Sequence, residues 1–99
     1  MGFYFGPRAR HISCLHSQQL ATLLTEAGAR DSQGAARLLD FMDHGSEDTL
    51  TPREAGQAAR SLRRVAGRLR HQIDRNTVER IATDAHDATT TGRNWTVGP

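Results

Sequence analysis

The chain has 99 residues, thirteen basic side chains that are all arginine, eleven acidic ones and a formal charge of only +2. That length makes residues 1–99 a single domain, and the single Cys14 excludes an intramolecular disulfide. No stretch approaches the roughly 20 apolar residues that span a bilayer, and Met1 to Pro7 lacks a basic segment ahead of an apolar run, so no secretory signal is read; a cytoplasmic protein without membrane contact is expected.

Gly2-Phe3-Tyr4-Phe5-Gly6-Pro7 reads as a short aromatic strand ended by a Gly-Pro turn. His11 to Leu15 extends it as a second strand or leads directly into a helix, so residues 1–15 form a strand or loop segment ahead of a helical body at 16–90. From about Ser17 to Ala27, Leu20, Leu23, Leu24 and Ala27 recur at helical spacing, and Gly28 stands where a left-handed C-terminal residue is wanted. A second helix spans about Ser32 to Asp43, with Ala35, Leu38, Leu39 and Met42 inward and Gly45 beyond its end. The third has the clearest start. Thr51-Pro52-Arg53-Glu54 supplies an N-cap hydroxyl, a proline at the first helical position and a glutamate to close a capping box. Positions 55, 58, 59, 62, 65, 66, 69 and 73 then fall on one apolar arc at 100° per residue, which predicts one amphipathic helix through Ile73. A fourth helix is expected from a second capping box, Asn76 to Glu79, as far as about Thr89, with Val78, Ile81, Ala82 and Ala85 inward. Asn94-Trp95-Thr96-Val97 alternates like a short strand in the C-terminal segment 91–99, and the two termini can pair as a small two-stranded sheet, Phe3–Phe5 beside Trp95–Val97. The fold class read from this pattern is mainly α, a four-helix single domain with that small terminal sheet.

Leu, Ile, Val and Phe together number only eighteen, under the rough 20 % at which order comes into question. Low net charge argues for a folded chain, and alanine fills many of the apolar helix positions. The core should therefore be thin and the helices close. A domain this small is marginal alone, which makes a homodimer plausible.

Charge is unevenly placed. Residues 31–49 carry a net −4 and residues 50–75 a net +5. Within the third helix Arg53, Arg60, Arg64 and His71 lie opposite the apolar arc with Arg68 beside them, while Arg63 and Arg70 flank the arc. A guanidinium is a forked donor suited to carboxylates and phosphates. Arg53, Arg60, Arg64, Arg68 and His71 are thus the candidate partner- or phosphate-binding residues. Two readings compete with a plain solvated face paired to the acids at 40–48 and at Asp74, Asp84 and Asp87. One is a surface for an acidic protein partner or a second copy. The other is a nucleic-acid contact through phosphates, which lacks both a base-reading polar cluster and interleaved aromatics. The exclusive use of arginine itself reflects GC-rich codons; its clustering does not.

Leu50-Thr51-Pro52-Arg53-Glu54-Ala55 resembles the opening of the helix-turn-helix domain of LuxR-type regulators, and Asn76-Thr77-Val78 resembles the start of their recognition helix. The short scaffold helix and turn between them are missing, because residues 56–73 read as one helix. The match is read as a shared capping box.

Metal and catalytic signals are weaker. Residues 43–54 look like a decayed EF-hand loop: Asp43, Leu50, Thr51 and Glu54 match, but Gly45 removes a ligand and Asp48 replaces the turn glycine. The bland alternative is an acidic connection whose Glu54 caps a helix. His11, Cys14 and His16 offer three soft ligands without the paired spacing of a zinc site. There is no nucleophile elbow, phosphate-cradling glycine loop or framed carboxylate pair. No enzyme, catalytic residue, cofactor, metal site or small-molecule substrate is inferred, and a metal-responsive protein is the least favoured of the three functions considered.

Met1-Gly2 before the aromatic strand, Leu50-Thr51-Pro52-Arg53-Glu54-Ala55 in mid-chain and Gly92-Arg93-Asn94-Trp95 near the end are together similar to small uncharacterised proteins of about this length from Streptomyces and related actinobacteria. Gly6-Pro7-Arg8 stands where many of those have Ser-His-Gly. The resemblance implies an actinobacterial or phage source and brings no activity or site residues with it. The sequence reading is a non-enzymatic interaction or regulatory module working through its arginine helix, with a nucleic-acid-binding accessory protein as the alternative.

Overall fold

The computed structural model of the protein describes residues 2–5, 10–45 and 47–98, and the backbone alone at Arg10 and His11. Eight elements follow in order: β1 (Gly2–Phe5), β2 (Arg10–Ser13), α1 (Cys14–Glu26), α2 (Gln33–His44), β3 (Asp48–Leu50), α3 (Pro52–Ala66), α4 (Gln72–Thr91) and β4 (Trp95–Gly98). The mainly α, four-helix architecture with a terminal sheet is borne out. The Gly6-Pro7 turn lies outside the described residues.

The sheet is larger than two strands. Its order is β2-β1-β4-β3, antiparallel throughout, with Phe3 opposite Ile12, Phe5 opposite Val97 and Leu50 opposite Trp95. The expected pairing of the termini is its centre. Alternation places Phe3, Phe5, Trp95 and Val97 inward and Tyr4 and Thr96 outward. Phe5 stands 5.1 Å from Phe3 and 6.2 Å from Trp95, ring centre to ring centre, so aromatics supply the bulk that the alanine-rich helices lack. Strand β3 falls in the stretch read as a helix connection. Three residues are too few to show a period of two, and the pairing of Thr49 with Thr96, hydroxyl to hydroxyl at 3.1 Å, could not be seen locally.

Helix starts follow the local chemistry. The hydroxyls of Ser13, Ser32 and Thr51 accept from the N–H groups of His16, Ala35 and Glu54, satisfying one orphan donor at each N-terminus. Helices α2 and α4 end at Gly45 and Gly92, both left-handed. α3 lies between α2 and α4, and α1 packs on α2. The approach is close. A Cβ at Gly34 in α2 would run into the Glu54 carbonyl oxygen, and one at Gly56 in α3 would come within 2.8 Å of the Thr89 hydroxyl in α4. Glycine at both contacts is what lets three short, alanine-lined helices share one core.

Three boundaries depart from the sequence expectation: α1 starts at Cys14 rather than about Ser17, and two more meet at one junction. α3 stops at Ala66 rather than continuing to Ile73, and α4 starts at Gln72 rather than Asn76. After Gly67 the amides of Arg68 and Leu69 turn back to the carbonyls of Val65 and Ala66, a tightened final turn. The next carbonyls, of Leu69 and Arg70, receive the Arg75 guanidinium at 2.6 and 3.1 Å. Arg75, from the first turn of α4, thus satisfies the groups that the break exposes. Leu69 stays buried, while Ile73, placed inward by a continuous helix, is 73 % exposed. Asn76 is an interior residue that accepts from the Gln72 side chain at 2.8 Å, so no second capping box forms.

Candidate interaction face on α3

The apolar side of α3 faces the core, which leaves three polar strips: one against α2, one against α4 and one open to solvent. The α2 strip is fully engaged. Glu54 is 8 % exposed and receives Arg37 at 2.7 Å on each carboxylate oxygen, while its Oε1 also accepts the Thr51 amide at 3.0 Å to close the capping box. The Arg37 guanidinium, supported by the Thr51 amide, holds the Glu54 carboxyl below its ordinary range, and Glu54 in turn raises Arg37. Arg37 also reaches Asp48 at 3.4 Å and lies over the Phe41 ring at 5.4 Å. One turn on, the Gln57 side chain accepts the Gly34 amide at 2.9 Å.

Ser61 and Arg64 extend this strip onto the segment joining α1 to α2. Ser61 donates to Asp31, and Arg64 donates at 2.7 Å to the same carboxylate and at 2.8 Å to the Gly28 carbonyl. The Ser61 hydroxyl first, with Arg64 assisting, keeps the Asp31 carboxyl below its ordinary range. Arg68 donates to the Ala27 carbonyl at 2.8 Å. Two candidate residues, Arg64 and Arg68, therefore serve as clamps on the protein's own backbone. Three of the acids expected to cover the basic face are placed otherwise: Asp40 pairs with Arg30, Asp48 with Arg37 and Asp74 with His16.

The other candidates divide between two places. Arg53 and Arg60 project from the open strip, exposed, with no ion pair or hydrogen bond among the described residues. Arg60 and Arg64 edge a shallow depression floored by Ser32, Gln57 and Ser61. On the α4 side Arg63 makes, among the described residues, only a 3.4 Å contact with the Thr83 hydroxyl. His71 is elsewhere. It is the N-cap residue of α4, makes no side-chain cap bond, and borders a groove of about 600 Å³ between α1 and the α3–α4 turn, with Arg68, Leu69 and Arg70. The structure thus brings Arg53, Arg60 and Arg64 together and sets His71 apart from them.

Sequence reasoning missed Arg37 and Arg75. Arg37 is the lone base in an acidic segment, and that isolation was its signal; Arg75 sits four residues after a turn that the apolar arc concealed.

In the 43–54 segment, His44 closes α2 by contacting the Asp40 carbonyl at 2.8 Å, Asp48 takes the Thr49 amide and Arg37, and Glu54 is committed as above. These are the contacts of a helix connection rather than of a cation loop. Cys14 opens α1, His16 faces Asp74 at 3.2 Å, and the His11 side chain lies outside the described residues. Among the described residues no three His, Cys, Asp or Glu side chains are placed to hold a metal ion, and no helix is long and apolar enough to cross a membrane.

Comparison with curated proteins and with solved structures finds no match. A family profile does match, over residues 6–97, which takes in all four helices, the three connections between them and most of the sheet just described; the protein belongs to the family described as Domain of unknown function (DUF7739).

Proposed function

We propose that the protein is a non-enzymatic interaction module that docks an acidic protein partner on the open strip of α3. The observation that carries this reading is the state of Arg53 and Arg60: two exposed guanidinium groups without a partner among the described residues, on a helix fixed along both flanks. Preset donors on a rigid element lose little freedom on binding. Arg64, anchored by Asp31, adds its remaining donors at the edge. Two copies meeting through this strip would oppose like charges, so an acidic partner fits it better than self-association.

Phosphates are the alternative occupants. Among the described residues only three arginines line the strip, the Asp31 carboxylate sits at its edge, and no aromatic side chain accompanies them for base stacking. The same reading takes the protein as cytoplasmic; the arginine-only basic complement, which GC-rich codons favour, supports an actinobacterial or phage origin.

Capture from lysate of the source cells, with wild type and Arg53→Glu/Arg60→Glu side by side and with nuclease added, tests the proposal. An acidic protein retained by wild type, lost by the variant and indifferent to nuclease is expected. Capture that nuclease abolishes, together with duplex binding that falls steeply between low and physiological salt, would replace it with the phosphate reading. Identical capture by both chains would remove the strip from the function.

A further inference from the structure

We propose that the groove between α1 and the α3–α4 turn is the surface through which two copies of this chain associate, about a twofold axis running along the groove. Its floor is apolar: Leu23, Ala27 and Leu69 line it, and Leu23 is 37 % exposed. The apolar surface continues past its end. The His16–Asp74 contact at 3.2 Å joins the N-termini of α1 and α4, and the sequence neighbours of that pair, Leu15 and Ile73, are 64 % and 73 % exposed. Of the four large hydrophobic side chains exposed among the described residues, only Tyr4 lies elsewhere. Concentration of such side chains at one place on a small domain marks a contact surface.

Charge selects the occupant. The α1 wall carries Glu26 and the turn wall carries Arg70; both are exposed and neither makes a side-chain ion pair or hydrogen bond among the described residues. Rotation by a half turn about the groove's long axis places the α1 wall of one copy over the turn wall of the other. Glu26 then faces Arg70 of the second copy twice, and the Leu15, Leu23 and Ile73 surfaces meet. An isologous interface needs this self-complementarity. A partner of single charge would satisfy one wall and be repelled by the other. The open strip of α3 has the opposite property, all one sign, so self-association and partner docking fall on different faces. This assignment is independent of the function proposed for Arg53 and Arg60.

Mass measurement by light scattering across loading concentrations from ~10 µM to ~1 mM, the range of weak to moderate association, tests the assignment. Wild type should move from monomer to dimer mass as concentration rises. Ile73→Asp, at an exposed position, should stay monomeric with an unchanged circular-dichroism spectrum. Glu26→Arg and Arg70→Glu alone should each weaken the dimer by about tenfold, and the combined charge swap should restore it. A monomer throughout the range would overturn the assignment. So would a dimer that Ile73→Asp does not affect, or one that both single charge changes weaken without recovery in the combination. Should Ile73→Asp unfold, the charge-swap series alone decides.

Discussion

Two of the three polar strips of α3, the one toward α2 (continued past the helix end by Arg68) and the open one, carry similar residues and have opposite fates. Toward α2, Glu54, Gln57, Ser61, Arg64 and Arg68 bond to side chains or backbone of other elements. Toward solvent, Arg53 and Arg60 bond to nothing among the described residues. Arg60 and Arg64 are one turn apart and chemically the same, so arginine content does not separate them. The carboxylate of Asp31 does: the Ser61 hydroxyl donates to it and Arg64 pairs with it at 2.7 Å, whereas Arg60 makes no ion pair among the described residues. A basic helix face is therefore read by asking which of its bases the fold has already used.

The comparison breaks most severely where the engaged strip meets α2. Gly34→Ala puts a Cβ into the Glu54 carbonyl and should destabilise by ~3 kcal/mol or more. Against a total of about 5–15 kcal/mol this gives a chain that is largely unfolded or heavily shifted in thermal melts. A wild-type melting curve would mean that α2 does not cross α3 as described.

Glu54→Gln comes next. It removes the charge that Arg37 and the Thr51 amide share, at a site that is nearly buried on one side and half open on the other, and should cost ~2 kcal/mol near neutral pH. The pH dependence has a definite sign. Both Glu54 and Asp31 titrate lower in the folded chain than their ordinary values of 4.5 and 3.8, so the unfolded chain binds their protons first. Their contribution is present above those values and is lost as pH falls through the folded ones. Denaturant titrations should find wild type and Glu54→Gln well separated at pH 7 and converging in acid. Curves that stay parallel down to pH 3 would show that the ionised Glu54 adds nothing.

A smaller effect is expected from Arg75→Ala, which leaves the carbonyls of Leu69 and Arg70 without their guanidinium and should cost ~1 kcal/mol. Faster hydrogen exchange confined to residues 67–75 would show that Arg75 holds the turn; exchange equal to wild type there would assign the break to Gly67 alone.

How far the sequence reached follows from the range of each interaction. Hydroxyl N-caps and the capping box act over three residues, so α2 and the start of α3 were legible. The pairing of the termini was legible from the alternation of Phe3, Phe5, Trp95 and Val97. The α3–α4 turn was hidden because Leu69 keeps the apolar arc while lying beyond the helix, and Ile73 happens to fit its extension. The candidate site was legible as a cluster and misjudged in its parts. Arg64 and Arg68 look free along the chain, and their partners Asp31, Gly28 and Ala27 lie more than thirty residues away. The acids at 40–48 seemed natural partners, and two of them, Asp40 and Asp48, are taken by Arg30 and Arg37 instead.

Replacing arginine by glutamine in pairs tests the division of α3 most directly, since it needs no knowledge of the partner. Arg64→Gln/Arg68→Gln removes two clamps and should cost ~1 kcal/mol, lowering Tm by ~4–8 °C in a domain of this size. Arg53→Gln/Arg60→Gln should stay within ~0.5 kcal/mol of wild type, as surface changes without partners do. Equal losses in the two double variants, or a larger loss for Arg53→Gln/Arg60→Gln, would contradict the account.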